Sequence, residues 1–214
     1  MLWVCGPPGA GKSTVSWQLY RELAAAGAPV AFADSDQLAM CYPAPPGDPG
    51  RQHVKALNVS SVISGFRSAG ARYVIVNGVL DAVGLDAALL PDAEVTICRL
   101  RADGDEVERR LLARHGPGDD TAWLGPEIRD EIRRLDDSRF ADSCVDTTGV
   151  PAGDVAGRVR AACPDWPGFT GSLRDAAGQP APFARRGREL ARARRSPARA
   201  GGRVPRRPGR PGYR

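Results

Sequence analysis

Near the amino end, Gly6-Pro7-Pro8-Gly9-Ala10-Gly11-Lys12-Ser13 fits the spacing G-x-x-x-x-G-K-[ST]. The spacing has a chemical reason. Glycines let the backbone curl until successive N–H groups point inward, and the helix start after them adds positive potential, so the segment suits a polyphosphate. Lys12 can reach the β and γ phosphates, and Ser13 can place a hydroxyl on Mg²⁺. The expected nucleotide contacts are Gly6, Gly9, Ala10, Gly11, Lys12, Ser13 and Thr14.

Asp34 and Asp36 form a second chemical group. They come after a short apolar run, and alternation in an extended segment points both carboxylates the same way. Beside Lys12 and a metal, one can hold Mg²⁺ and the other can accept the proton of an attacking hydroxyl. Either could instead cap a short helix starting at Gln37.

These groups need elements that bring them together. Met1 to Cys5 reads as a strand, and Ser13 to Ala26 as a helix with Val15, Leu19 and Leu23 on one face, ended by Gly27. Val30 to Ala33 is a second strand, Tyr42 to Gly50 a proline-rich surface loop, and Gln52 to Ala69 a helix by its Leu57, Val59, Val62, Ile63 and Phe66 spacing. Tyr73 to Val76 is a third strand, with a helical piece near Leu85 to Leu90. Glu94 to Leu100 is a fourth strand, and Asp103 to His115 a charged helix broken by Gly116-Pro117-Gly118. A helix through Ile128, Ile132 and Leu135, a strand at Cys144 to Asp146 and a helix from Pro151 complete the series. Alternating strands and helices call for a mostly parallel sheet covered on both faces. Asp34 and Asp36 then sit at its C-terminal edge, where such sheets place ligands.

Composition supports a globular α/β domain over residues 1–164 and something else beyond. The 214 residues are 42% hydrophobic and 26% charged, with 25 glycines and 19 prolines. The net charge of +5 conceals a split, because residues 1–164 carry −5 and residues 165–214 carry +10. The last fifty residues hold 13 arginines but only seven large apolar or aromatic side chains, too few to offset the entropy of ordering. They read as a disordered tail able to meet nucleic acid or a partner protein through its charge. The absence of a long apolar run and of paired cysteine spacing points to a cytoplasmic protein with no membrane partner, disulfide or structural zinc.

ATP is favoured over GTP. A guanine-reading Asn-Lys-x-Asp cannot exist, because the only lysines are Lys12 and Lys55 and the only asparagines Asn58 and Asn77. An apolar strand ending in Asp-Glu, which would activate water, is also absent. Transfer to a bound acceptor is therefore favoured over hydrolysis.

GPPGAGKS at the start, FADSDQ after the second strand and VDTTGVPAGDVAGRV near residue 150 resemble the small-molecule P-loop kinases, such as shikimate, gluconate and adenylylsulfate kinases and chloramphenicol phosphotransferase. The resemblance implies a P-loop NTPase fold of nucleoside-monophosphate-kinase type, with a five-stranded parallel sheet and helices on both faces. It places Asp34 near the metal, Asp36 near the acceptor hydroxyl and the Thr147-Thr148-Gly149 loop, with Thr148, against the adenine. It also implies a lid arginine that closes over the phosphates. Arg109, Arg110 and Arg114 occupy that place, and Arg114 adjoins the break, although Glu106 and Arg110 could equally form a solvated i, i+4 pair. Arg51 and His53 would lie near an acceptor if the proline-rich loop forms its wall, and an arginine suits an anionic one. Asn77 could bond an acceptor or simply end its strand.

The expectation is an ATP- and Mg²⁺-dependent phosphotransferase acting on a small-molecule hydroxyl, with Lys12, Ser13, Asp34, Asp36 and Arg114 as its working set. Two rivals are a nucleotide-gated regulatory protein without acceptor chemistry and a kinase of nucleic-acid ends, both drawing on the basic tail.

Overall fold

Strand β1 (Leu2–Cys5) is buried along its whole length, as its sequence Leu-Trp-Val-Cys requires. It lies at the centre of five parallel strands in the order β2-β3-β1-β4-β5, where β2 is Val30–Asp34, β3 Tyr73–Asn77, β4 Thr96–Arg101 and β5 Ser143–Asp146. The structure is a computed structural model that describes residues 1–80, 94–115 and 124–170. The expected helical piece at 85–90, the Gly116-Pro117-Gly118 break and the tail beyond residue 170 lie outside the described residues.

Strand periodicity sorts the side chains into two cores. Leu2, Val4, Ile75, Cys98 and Leu100 face one side, with Val15 and Leu19 of α1 (Lys12–Ala25) and Val155 and Val159 of α6 (Ala152–Ala162). Met1, Trp3, Cys5, Val74, Val76 and Ile97 face the other, with Val59 and Ile63 of α3 (Gln52–Ser68). Fully buried strands covered by helices on both faces are what a parallel sheet needs. A third cluster joins Val107 and Leu111 of α4 (Gly104–His115) to Ile128 of α5 (Leu124–Asp137).

Two details depart from the sequence reading. The short helix α2 (Ser35–Leu38) opens two residues before Gln37. Leu57, placed by spacing on the apolar face of α3, is 46% exposed, and the buried face is Lys55, Val59 and Ile63. All five cysteines are free. No helix among the described residues is long and apolar enough to cross a membrane.

Packing also runs past the composition change at residue 164. Helix α7 (Pro167–Thr170) comes directly after Trp166, which is 2% exposed and meets Tyr73 and Phe169 edge-on at ring-centroid distances of 5.8 and 4.6 Å. Truncating such a buried aromatic leaves a large cavity. Trp166→Ala should cost about 3–5 kcal/mol, read as a lower urea midpoint at unchanged slope.

Candidate functional site

Register brings the chemical groups to one edge. Asp34 pairs with Asn77 across β2 and β3, and Asn77 pairs with Val4 across β3 and β1, one residue short of the Cys5-Gly6 turn into the loop. The C-terminal ends of three adjacent strands therefore stand level beneath the start of α1.

Close approach, as well as curvature, fixes the glycines here. Gly6 has φ 138°, and a Cβ on it would lie 2.3 Å from the Leu100 carbonyl oxygen. Gly78 has φ 147°, and a Cβ there would lie 1.9 Å from Ser35 Oγ. Gly9 packs on Val107 of α4, and Ala10 is fully buried. Gly11 caps α1 without a side chain, so the first-turn N–H groups of Lys12, Ser13 and Thr14 have no capping group. That is the condition for binding an anion.

Lys12 is buried and donates from Nζ to the Pro7 carbonyl at 3.1 Å. Burial pushes its ammonium below the ordinary lysine value, against the raising effect of Asp36 and Glu131. A phosphate would relieve that desolvation. Ser13 and Thr14 are exposed and line a cavity of about 620 Å³ that also reaches Trp17, Phe32 and Asp34.

Asn77 ties the metal-ligand candidates together. Its Nδ2 donates to Ser13 Oγ and to Asp34 Oδ2, each at 3.1 Å, and the residue is fully buried. Asp34 has a second task, since its Oδ1 accepts from the Asp36 and Gln37 N–H groups at 3.0 and 3.4 Å and so caps α2. The capping alternative and the site assignment thus fall on different oxygens of one carboxylate. Ser13 Oγ and Asp34 Oδ2 are hard oxygen donors held in one place, which fits Mg²⁺ carried with a nucleotide.

Asp36 faces the other way. Its Oδ1 accepts from Lys55 Nζ at 2.9 Å and from the Val79 N–H at 2.9 Å, and Val79 N also lies 3.2 Å from Oδ2. Lys55, 6% exposed, donates further to the Val79 carbonyl at 2.8 Å. Sequence reasoning missed Lys55 as a site residue. A lysine one helical turn before Val59, on the buried face of α3, was the available signal. Asp36, Lys55 and Arg51 line a second cavity of about 620 Å³, whereas His53 is exposed and does not line it.

The arginines of α4 divide. Arg110 donates from Nε to Glu106 at 2.8 Å, from Nη1 to Gly9 O at 3.2 Å and Thr147 Oγ1 at 3.1 Å, and from Nη2 to Thr147 O at 2.6 Å. It forms the i, i+4 pair and also struts the phosphate loop against the end of β5. Arg109 is exposed and bonds Glu106 through Nε and Nη2. The two arginines hold the Glu106 carboxyl at about 2, with the Arg109 hydrogen bond first. Arg114 is exposed and makes no hydrogen bond or ion pair among the described residues. Thr148 Oγ1 accepts from the Asp103 N–H at 3.0 Å, while buried Thr147 donates from Oγ1 to Ala10 O at 3.2 Å. Thr147, not Thr148, touches the loop.

Solved structures share this fold. A sugar kinase from Janibacter sp. HTCC2649 superposes with a TM-score of 0.55 at 16% identity, over 78% of this chain and 96% of its own. The tunicamycin resistance protein of Deinococcus radiodurans gives 0.54 at 20%, over 75% and 92%. The APS kinase of Mycobacterium tuberculosis, solved with AMPPNP and APS, gives 0.54 at 14%, over 77% and 96%. At these identities the likeness is one of fold, the P-loop kinase architecture that the motifs suggested. No curated protein matches the chain. A family model described as an AAA domain matches residues 1–134, more than half of the sequence and all of the edge that carries the loop, Asp34, Asn77 and Arg110, so the chain belongs to the AAA_33 family of AAA domains.

Proposed function

We propose that the protein is an ATP- and Mg²⁺-dependent phosphotransferase that moves the γ-phosphoryl group of ATP to a hydroxyl of a small molecule. The observation that carries this reading is the division of labour around β2. Asp34 turns toward Ser13 and the phosphate loop, and Asp36 turns toward a separate cavity large enough for an acceptor.

The amides of the loop and Lys12 bind and orient the triphosphate. Ser13 and Asp34 would hold the metal ion, which would supply positive charge to offset that of the phosphates. Asp36 accepts the acceptor's hydroxyl proton on Oδ2, the oxygen that Lys55 does not engage. The hydroxyl oxygen then bonds to the γ phosphorus. The bond from that phosphorus to the bridging oxygen breaks, and ADP leaves with the electron pair. Arg110 acts as a strut that keeps the loop in shape, and Arg114 is the residue of α4 free to approach the phosphates. The two rival readings lean on the basic tail, of which residues 171–214 lie outside the described residues.

The direct experiment is a metabolite and antibiotic panel screened for stimulated ADP release by the full chain. ADP release that no hydroxylated compound raises above the ATP-only rate would refute the transferase reading. Lys12→Ala should abolish binding of a fluorescent ATP analogue. Asn77→Ala should leave metal-free nucleotide affinity in place and lower the gain given by Mg²⁺ about tenfold, as loss of an outer-shell partner does. Asp36→Asn should keep nucleotide binding and slow transfer by about a hundredfold or more, checked by single-turnover kinetics with the acceptor found.

A further inference from the structure

Cys98 and Cys163 come from distant parts of the chain and meet in the core that α1 and α6 cover. Strand pairing sets one side of the meeting, because Cys98 of β4 lies opposite Ser143 of β5. The end of α6 sets the other. Cys163 is its C-terminal capping residue, and the Cys163 sulfur stands 2.9 Å from Ser143 Oγ. The two cysteines are 0% and 5% exposed, and their thiols are hydrogen-bonded to each other. Two sulfurs and a hydroxyl thus form one largely buried cluster, with both thiols free.

The thiols are not equivalent. The hydrogen bond from Cys98, assisted by the Ser143 hydroxyl, holds the Cys163 thiol below its ordinary value against the opposing effect of burial. The same bond and burial together push Cys98 up. A sulfur that carries negative charge is the nucleophile, and a protonated thiol in contact with it is placed to resolve whatever forms there.

We propose that Cys98 and Cys163 are an oxidisable dithiol that a small peroxide closes to a disulfide. The Cys163 thiolate attacks one oxygen of the peroxide, the O–O bond breaks, and hydroxide leaves with the bonding pair, which makes Cys163 a sulfenic acid. The hydroxide takes up the proton that the Cys163 thiol had lost. The Cys98 sulfur then attacks the Cys163 sulfur, its proton passes to the departing hydroxyl, and water leaves. Two thiols and one hydrogen peroxide become one disulfide and two waters. The new bond ties β4 to the end of α6, just ahead of Trp166 and α7, and closes a long segment of chain. It therefore tethers the chain where its acidic part meets its arginine-rich part.

Peptide mapping of the full chain tests this. The reduced protein, freed of reductant, is treated with an equimolar amount of hydrogen peroxide, alkylated and digested with trypsin. Cys98 and Cys163 fall in different tryptic peptides, and Arg158 and Arg160 separate Cys163 from Cys144. The expected product is a linked pair of the Cys98 and Cys163 peptides, two hydrogens lighter than their reduced sum and released by dithiothreitol. Oxidation should also raise the Tm of the parent by about 5 °C or more and leave that of Cys163→Ser in place. Cys163→Ser should bind an ATP analogue as the parent does, which shows that it is folded. Linkage of Cys98 or Cys163 mainly to Cys5, Cys41 or Cys144, sulfinic acid at Cys163 without linkage, or a pair of thiols that stays reduced would each overturn the inference. The map is read on the parent chain, so its answer stands even if the variant fails to fold.

Discussion

The buried amide of Asn77 holds the hydroxyl of Ser13 and the carboxylate of Asp34 at 3.1 Å each, and the arrangement of the whole edge depends on it. Those three residues come from α1, β2 and β3, so they meet only if the strands pair in one register. Sliding β2 by a single residue would turn Asp34 to the opposite face of the sheet. It would also remove the cap from α2, since the same carboxylate bonds the Asp36 and Gln37 N–H groups. The packing of Val30 and Phe32 of β2 against the core that includes α1 opposes that slip, because the slip would turn both to the other face of the sheet. Site geometry and core packing are thus one constraint.

Charge at the site is arranged before any ligand arrives. Lys12 is held out of water against a backbone carbonyl and is penalised for its charge, so a polyphosphate meets an ammonium with little hydration left to lose. Asp36 and Lys55 form an ion pair in which the lysine is buried and the carboxylate side chain is 41% exposed. Removing either partner alone would strand the other, a larger penalty than the pair's net worth. Gly78 makes this possible. Without a side chain it lets α2 approach β3 closely enough for Asp36 to take the Val79 N–H as well.

The features legible in the sequence were local or periodic. The phosphate loop depends on residues six to thirteen alone, and the five strands and their parallel order come from apolar runs spaced by helices. Asp34 and Asp36 were legible by their place after a strand, a local property. The alternation that aims both carboxylates the same way fails, because the chain turns into α2 at Ser35 and Asp36 faces Lys55 instead. Lys55 was not, for its role depends on a carboxylate nineteen positions earlier and on which face of α3 is buried. The Leu57 assignment failed for the same reason, since an amphipathic pattern fixes a stripe only to within a residue or so. Trp166 was hidden by its neighbourhood, a single aromatic at the head of an arginine-rich stretch. Thr147 and Thr148 are adjacent, and only the turn after β5 decides which one reaches the loop.

A phosphate loop raises the question of water, because the same loop geometry serves hydrolysis and transfer alike. Here β3 ends in an amide and a glycine. A carboxylate in place of Asn77 would stand about 3 Å from Asp34, and two like charges at that distance do not both ionise readily. The amide removes the conflict by donating where a carboxylate would repel. Asp34 itself is already committed to Asn77 and to the α2 cap. Asp36, whose Oδ2 takes only a shared bond from the Val79 N–H, lines the second cavity. On the phosphotransferase reading, the base is therefore reachable chiefly by a molecule that fills that cavity. Discrimination between a hydroxyl and water would then come from occupancy, because a molecule that fills the cavity displaces water from beside Asp36.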